Sequence, residues 1–256
     1  MNFLDFREPV SALSHCAGLL LSIPATVVLW RKCGNDLPKR LSVLVFGVTL
    51  GICYLGSTMY HGVRGPQGTI DVLDRFDHVG IHLLIAGSYT PLAWNMMRGR
   101  ARFYTLGLVW AAAVLACSLL LLNLRLPSPL ETAGYLVIGW GAIFCYFEIA
   151  RRVTHRSLRL LVIGGVLYSI GAVLNVMHWP MLWPGVVGPH EVFHFWVLAG
   201  SLAHFWFLFS VVVPFVWASE AKAAPSASPV WVGGRGRGNE IAPRRPFAFW
   251  QQLWAS

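Results

Sequence analysis

Seven runs of mostly apolar residues, each about twenty long and separated by short charged breaks, constrain this chain more than any other feature. They are Val10–Trp30, Leu41–His61, Asp77–Met97, Phe103–Leu124, Glu131–Ala150, Leu158–Met177 and His190–Trp217. A bilayer core of about 30 Å is crossed by roughly 20 apolar residues in a helix. Chain-wide composition agrees, since 56% of residues are hydrophobic and only 12% charged, outside the range of an ordinary soluble domain. No alternation of period two competes, which disfavours a β-barrel. The expected fold is an all-α membrane protein, a bundle of seven transmembrane helices over residues 1–218. Pro24, Pro91 and Pro214 fall inside three of the runs, as kinks that neighbouring helices tolerate.

The net charge of +9 does not point to nucleic acid, because the cations follow the loops. Arg31, Lys32, Lys39, Arg40, Arg98, Arg100, Arg102, Arg151, Arg152, Arg156 and Arg159 fall in alternate connections, and Lys222, Arg235, Arg237, Arg244 and Arg245 in the tail. Arg7, Arg64, Arg75 and Arg125 alone fall on the other side. The positive-inside rule then places the C-terminus in the cytoplasm and the N-terminus outside, in the plasma membrane. The first run is too long, and lacks the basic start, of a cleaved signal. Residues 219–256 turn to Ala, Ser, Pro, Gly and Arg with scattered aromatics, the composition of a disordered, interface-seeking tail. Five cysteines without CxxC spacing read as small hydrophobes. Small residues at Gly47 and Gly51, at Gly164 and Gly165 with Gly171, and in Ala86-Gly-Ser88 and Ala199-Gly-Ser201 mark expected close helix contacts.

Ionisable groups at membrane depth are costly and therefore candidates for function. Gly188-Pro-His-Glu-Val-Phe-His194 sets His190 and His194 four residues apart, about 6 Å apart on one helix face. The best third partner is His61, closing the second run in Ser57-Thr-Met-Tyr-His61, with Asp77 opening the third as a carboxylate that is not a ligand. Three imidazoles with one open position suit zinc and lower the pKa of a bound water to about 7. Asp77 would act on that water as base or orienter, and Ser57 would support the ligand or a developing oxyanion. Spacing alone leaves two alternatives open: histidines that only bond helices together, and a rival pair, His78 and His82, with the same separation beside Asp77.

Ser57-x3-His61, then Phe76-Asp-His-Val-Gly-Ile81 leading into Leu83-Leu-Ile-Ala-Gly-Ser-Tyr-Thr-Pro91, then Trp183-Pro-Gly-Val-Val-Gly-Pro-His-Glu-Val-Phe-His194 with Leu198-Ala-Gly-Ser-Leu-Ala-His-Phe205, together resemble the haemolysin-III family. That family is the bacterial branch of the progestin and adipoQ receptor superfamily, to which the alkaline ceramidases look related. The resemblance spans about residues 5 to 217 and leaves out the tail. It implies that His61, His190 and His194 bind Zn2+, that Asp77 contacts the water on it, and that Ser57 lies nearby. The family's first motif, Glu-x2-Asn-x3-His, occurs here as Glu8-Pro-Val-Ser11-Ala-Leu-Ser-His15, with Ser in place of Asn. The resemblance also implies a cytosolic N-terminus, opposite to the charge count. His82 and His178 are expected to serve packing.

The function expected is a zinc-dependent lipid amide hydrolase taking a ceramide-like substrate from the bilayer. A non-catalytic membrane sensor with structural zinc, and a pore-forming cytolysin, are the alternatives. Nucleophile elbow, P-loop and dinucleotide motifs do not occur.

Overall fold

The computed structural model describes residues 6–124, 126–217 and 232–233. The apolar runs are helices: α1 Pro9–Lys32, α2 Leu37–Gly62, α3 Gln67–Met96, α4 Gly99–Leu121, α5 Ser128–Trp140, α6 Ala142–Ala150, α7 Arg159–Val176 and α8 Pro189–Phe207. Among the described residues, six segments are long and apolar enough to cross a membrane: α1, α2, α4, α5 with α6 as Ser128–Ala150, α7, and α8 extended to Val212. The protein is therefore an all-α, multi-pass membrane protein. Long apolar side chains such as Leu108, Val137 and Phe144 are more than 70% exposed, which is the pattern of helices solvated by lipid.

Three boundaries differ from the sequence expectation, each for a local reason. α3 begins ten residues before Asp77, at Gln67. Asp71, Asp74 and Arg75 read as a break, yet they only end the apolar stretch; a charged turn projecting from a bilayer keeps its backbone hydrogen bonds. At 30 residues α3 is about 45 Å long, so Asp77 lies three turns inside it. The fifth run is interrupted at Gly141 between α5 and α6, where Tyr89 Oη donates to the Ile138 carbonyl at 2.6 Å. The last run does not remain helical to Trp217. It passes into a π-helical turn over Leu208–Val212, with Val213 N bonded to Leu208 O at 2.9 Å. Pro214 then stops it, since its ring clashes with the preceding turn and it brings no N–H.

Helix order around the bundle follows from the packing partners. α2 lies between α1 and α3, α3 also meets α4, α5 and α6, α7 packs on α8, and α1 meets α8. The α2–α3 seam is the tightest. A Cβ on Gly80 would stand 2.6 Å from Cys53 Cα, and one on Gly87 would stand 1.9 Å from Thr49 Oγ1. Glycines here let two backbones touch, as small residues do between helices in lipid. Of the other glycines singled out, Gly47, Gly164, Gly171 and Gly200 also press on a neighbouring side chain, whereas Gly51 makes only ordinary contact and Gly165 faces open space, with nothing within 4 Å of a Cβ there. The five cysteines are all free.

The chain divides into two compact units, Met1–Pro214 and Phe215–Ser256. In the second, Val216–Trp217 (β1) pairs in parallel with Val232–Gly233 (β2). The rest of the tail, and Arg125 in the charge count, lie outside the described residues.

Candidate metal centre

Local rules bring the three histidines into position. Asp36 Oδ1 caps the start of α2 by accepting from Lys39 N at 3.0 Å, and His61 stands in the last turn of the helix. Pro189 occupies the first position of α8, where its missing N–H costs nothing. Glu191 Oε2 accepts from Gly188 N at 2.8 Å, so the helix is regular from His190 onward. His61 and His194 are each 1% exposed.

The imidazoles converge through one kind of atom. His190 Nε2 lies 3.2 Å from His61 Nε2 and 3.1 Å from His194 Nε2, and His61, His190 and His194 form the metal-competent group among the described residues. Zinc–nitrogen bonds of about 2.0–2.1 Å at tetrahedral angles set ligand nitrogens about 3.3–3.4 Å apart. The two separations from His190 Nε2 are within a few tenths of an ångström of that, and all three ligand atoms lie within 4.8 Å of one another.

Proton bookkeeping on the outer nitrogens points the same way. His61 Nδ1 is 2.5 Å from Glu8 Oε2, His190 Nδ1 is 3.3 Å from Asn175 Oδ1, and His194 Nδ1 is 3.2 Å from the Ser11 carbonyl and 3.3 Å from Ser14 Oγ. A carboxylate and a carbonyl accept, so these Nδ1 atoms carry the protons. Each neutral ring then turns an Nε2 lone pair inward. Three lone pairs facing one another repel unless a cation lies between them, and an outward bond from the remote nitrogen is how ligating histidines are held. The donor set therefore fits a zinc-class ion.

Asp77, 8% exposed, sets Oδ2 3.6 Å from His61 Nε2, on the side where the nitrogens meet. Gly56 secures this approach: a Cβ there would lie 3.0 Å from Phe76 O and 3.2 Å from Asp77 Cα. Ser57 is 1% exposed and one turn before His61, but the hydrogen bonds of the cluster run to Glu8, Asn175, Ser11 and Ser14. The rival pair does not join. His78 Nδ1 bonds the Asp74 carbonyl at 2.8 Å and its Nε2 lies 3.8 Å from Glu131, while His82 packs on the Tyr135 ring.

Sequence reasoning missed the supports of the ligands. Asn175 was detectable as the lone amide in an apolar run. Glu8 was visible in the first motif, but its role depends on where α1 packs. Outside the bilayer segment, the hydrogen bond from His61 holds the Glu8 carboxyl below its usual pKa against the opposing effect of partial burial. Ser11, in the place of the motif's Asn, does two jobs: its carbonyl accepts from His194 and its hydroxyl donates to Glu191 Oε1 at 2.9 Å.

A cavity of about 340 Å³ lies between α2, α3, α5, α6, α7 and α8. Cys53, Ile81, Phe193, Leu161, Phe207 and Leu208 are among its lining residues; Phe193 is the chain neighbour of His194, but none of His61, His190, His194, Asp77 and Ser57 lines it. From Phe193 to Leu208 along α8 is about 22 Å at 1.5 Å per residue. The wall is almost wholly apolar.

Fold and centre together define a class: a multi-pass helical membrane protein with a buried three-histidine cluster that can hold a metal. Comparison with known proteins narrows it. Residues 3–205 match the family model described as haemolysin-III related. The chain is 33% identical over 214 residues to the "Hemolysin-3 homolog" of Bacillus subtilis (strain 168), covering 82% of this chain and 97% of that one. It is 30% identical over 210 residues to "Hemolysin-3" of Bacillus cereus, covering 81% and 93%. Likeness to the "ADIPOR-like receptor IZH2" of Saccharomyces cerevisiae (strain ATCC 204508 / S288c) is 27% over 170 residues, 59% of this chain and 53% of that one. The chain belongs to the haemolysin-III family, within the adipoQ receptor superfamily.

Proposed function

We propose that the protein is a zinc-dependent hydrolase of lipid amides, with ceramide-like substrates, acting in membrane lipid homeostasis. The observation that carries this reading is the convergence of the His61, His190 and His194 Nε2 atoms with a carboxylate 3.6 Å from His61 Nε2; an apolar cavity lined by Phe193, the chain neighbour of His194, supports it. His61, His190 and His194 would hold the ion, which would supply Lewis acidity and lower the pKa of a water. Asp77 accepts the proton of the attacking water at Oδ2 and returns it to the leaving amine. Ser57 supports the oxygen on which charge develops. The cavity excludes water and seats the acyl chain. In this reading α3 is the seventh span, and the cationic connections place the C-terminus in the cytoplasm of a plasma-membrane protein.

The test is turnover of a labelled ceramide by the purified protein. Zinc chelation and Asp77→Ala should each abolish it; robust hydrolysis surviving both sinks the assignment. One observation favours a second reading, a non-catalytic regulator with structural zinc: the ligands come from α2 and α8, while their supports come from the start of α1 and from α7. An ion there would clamp four parts of the bundle. In that case Asp77→Ala leaves the physiological function intact.

A further inference from the structure

The ligand set does not use the histidine nearest to it. His15 on α1 is 3% exposed, and neither of its ring nitrogens has a hydrogen-bond partner among the described residues. Its ring lies flat on His194, with centroids 3.8 Å apart and planes 16° apart. The Tyr54 ring tilts against it at 5.0 Å. One turn further along α1, a Cβ on Gly18 would meet Leu198 Cδ2 at 2.7 Å and Tyr54 at 3.0 Å, so α1 is pressed onto α2 and α8 at this level.

Stacking alone does not account for an imidazole here. A phenyl ring stacks equally well and buries no polar atom, whereas buried nitrogens left unpaired are costly. Such orphans in a native protein mark a water or ligand that belongs beside them. The group is not a fourth ligand to the ion. His15 is stacked face to face on His194, so its lone pairs run nearly parallel to the His194 ring, and it is not one of the three histidines whose nitrogens come together. A group seated against the stacked face of His194 would come alongside His15, whose nitrogens have no hydrogen-bond partner among the described residues.

We propose that His15 is the hydrogen-bond partner of an oxygen ligand seated at the open corner of the three-histidine centre: the carbonyl or carboxylate oxygen of a substrate or product. The proposal rests on the metal reading above and adds to it a role that is neither ligation nor proton transfer. As a binding residue, His15 sets the affinity of the exogenous ligand without setting that of the metal.

Cobalt(II) replaces zinc as the probe, because its visible spectrum reports both loading and the fourth ligand. Wild-type protein, His15→Phe and His15→Gln are loaded in detergent and titrated with acetohydroxamate. All three should take up one cobalt per chain with affinities within about threefold. His15→Phe should bind acetohydroxamate at least tenfold more weakly, while His15→Gln, which keeps a donor and an acceptor, stays within about threefold of wild type. If the phenylalanine form does not fold, by circular dichroism, His15→Met takes its place. Equal acetohydroxamate affinity in the wild-type and apolar variants overturns the proposal. So does loss of cobalt from a folded apolar variant, which would make His15 part of the ion's own support. Failure of wild-type protein to take up cobalt is a different result, and refutes the metal reading itself.

Discussion

Replacing Gly80 by alanine should damage the bundle and the centre together. The added Cβ would start 2.6 Å from Cys53 Cα, whereas carbon atoms rest at about 3.5–4.0 Å. The obstacle is backbone, with no flexible side chain to turn aside. Relief therefore requires α2 and α3 to separate by about 1 Å at this level. Overpacking of this kind costs about 1–3 kcal/mol, against a gain of about 0.5–1 kcal/mol for alanine over glycine within a helix. The net loss should lower Tm by several degrees in a scanning assay on detergent-purified protein. Gly80 is one turn from Asp77, so the same displacement moves the carboxylate off His61 and should weaken any activity that needs both. Gly107 is the control: nothing lies within 4 Å of a Cβ there, and Gly107→Ala should leave Tm unchanged or raise it. Equal Tm for Gly80→Ala and Gly107→Ala would refute the close-approach argument.

Other predictions follow from the partners of the ligands. Glu8→Ala removes a charged acceptor from His61 and should weaken metal binding about 10–100-fold; Asn175→Ala, which removes a longer, neutral contact from His190, should cost less than about tenfold. Competition with a chelator of known affinity ranks the two, and the reverse order would contradict the geometry. Stripping the metal should lower Tm, and restoring zinc should recover it, because an ion bound only to the folded state stabilises by mass action. Tyr89→Phe removes the side-chain donor to the Ile138 and Gly139 carbonyls at the α5–α6 junction and should cost about 1 kcal/mol, read in the same thermal assay.

The parts of this protein legible in its sequence are those where chemistry restricts residue choice. Two histidines four apart at the head of an apolar run share one helix face, so His190 and His194 point to each other, and His61 of the Ser57-x3-His61 motif joins them in the three-histidine group. Apolar run length likewise exposes the helices. The boundaries were hidden where one signal stood for two causes. Asp71 and Arg75 end an apolar stretch without ending α3, and Pro214, expected as a tolerated kink, instead terminates the last helix. The supports of the ligands were hidden for another reason. Whether the Ser11 backbone faces His194 is decided by how α1 packs on α8, and a backbone carbonyl leaves no mark on residue identity.

That division bears on whether the ion is structural or catalytic. Structural zinc sites are closed by four protein ligands, and catalytic ones leave a corner open. Here the protein offers three imidazoles and one further group, Asp77, at 3.6 Å from His61 Nε2. The carboxylate stands beside the nitrogens, and the tight contact of Gly56 with Phe76 and Asp77 limits how far α3 can approach. A backbone fixed in this way favours an Asp77 that acts on a fourth group over one that becomes the fourth ligand. The unpaired nitrogens of His15 are consistent with the same conclusion, since a closed site would leave them nothing to bind. Clamping the bundle and keeping a corner free would therefore be compatible in a metal-bound form: the three Nδ1 contacts tie α1 and α7 to the histidines of α2 and α8, and His61, His190 and His194 are joined by no fourth residue in the metal-competent group among the described residues.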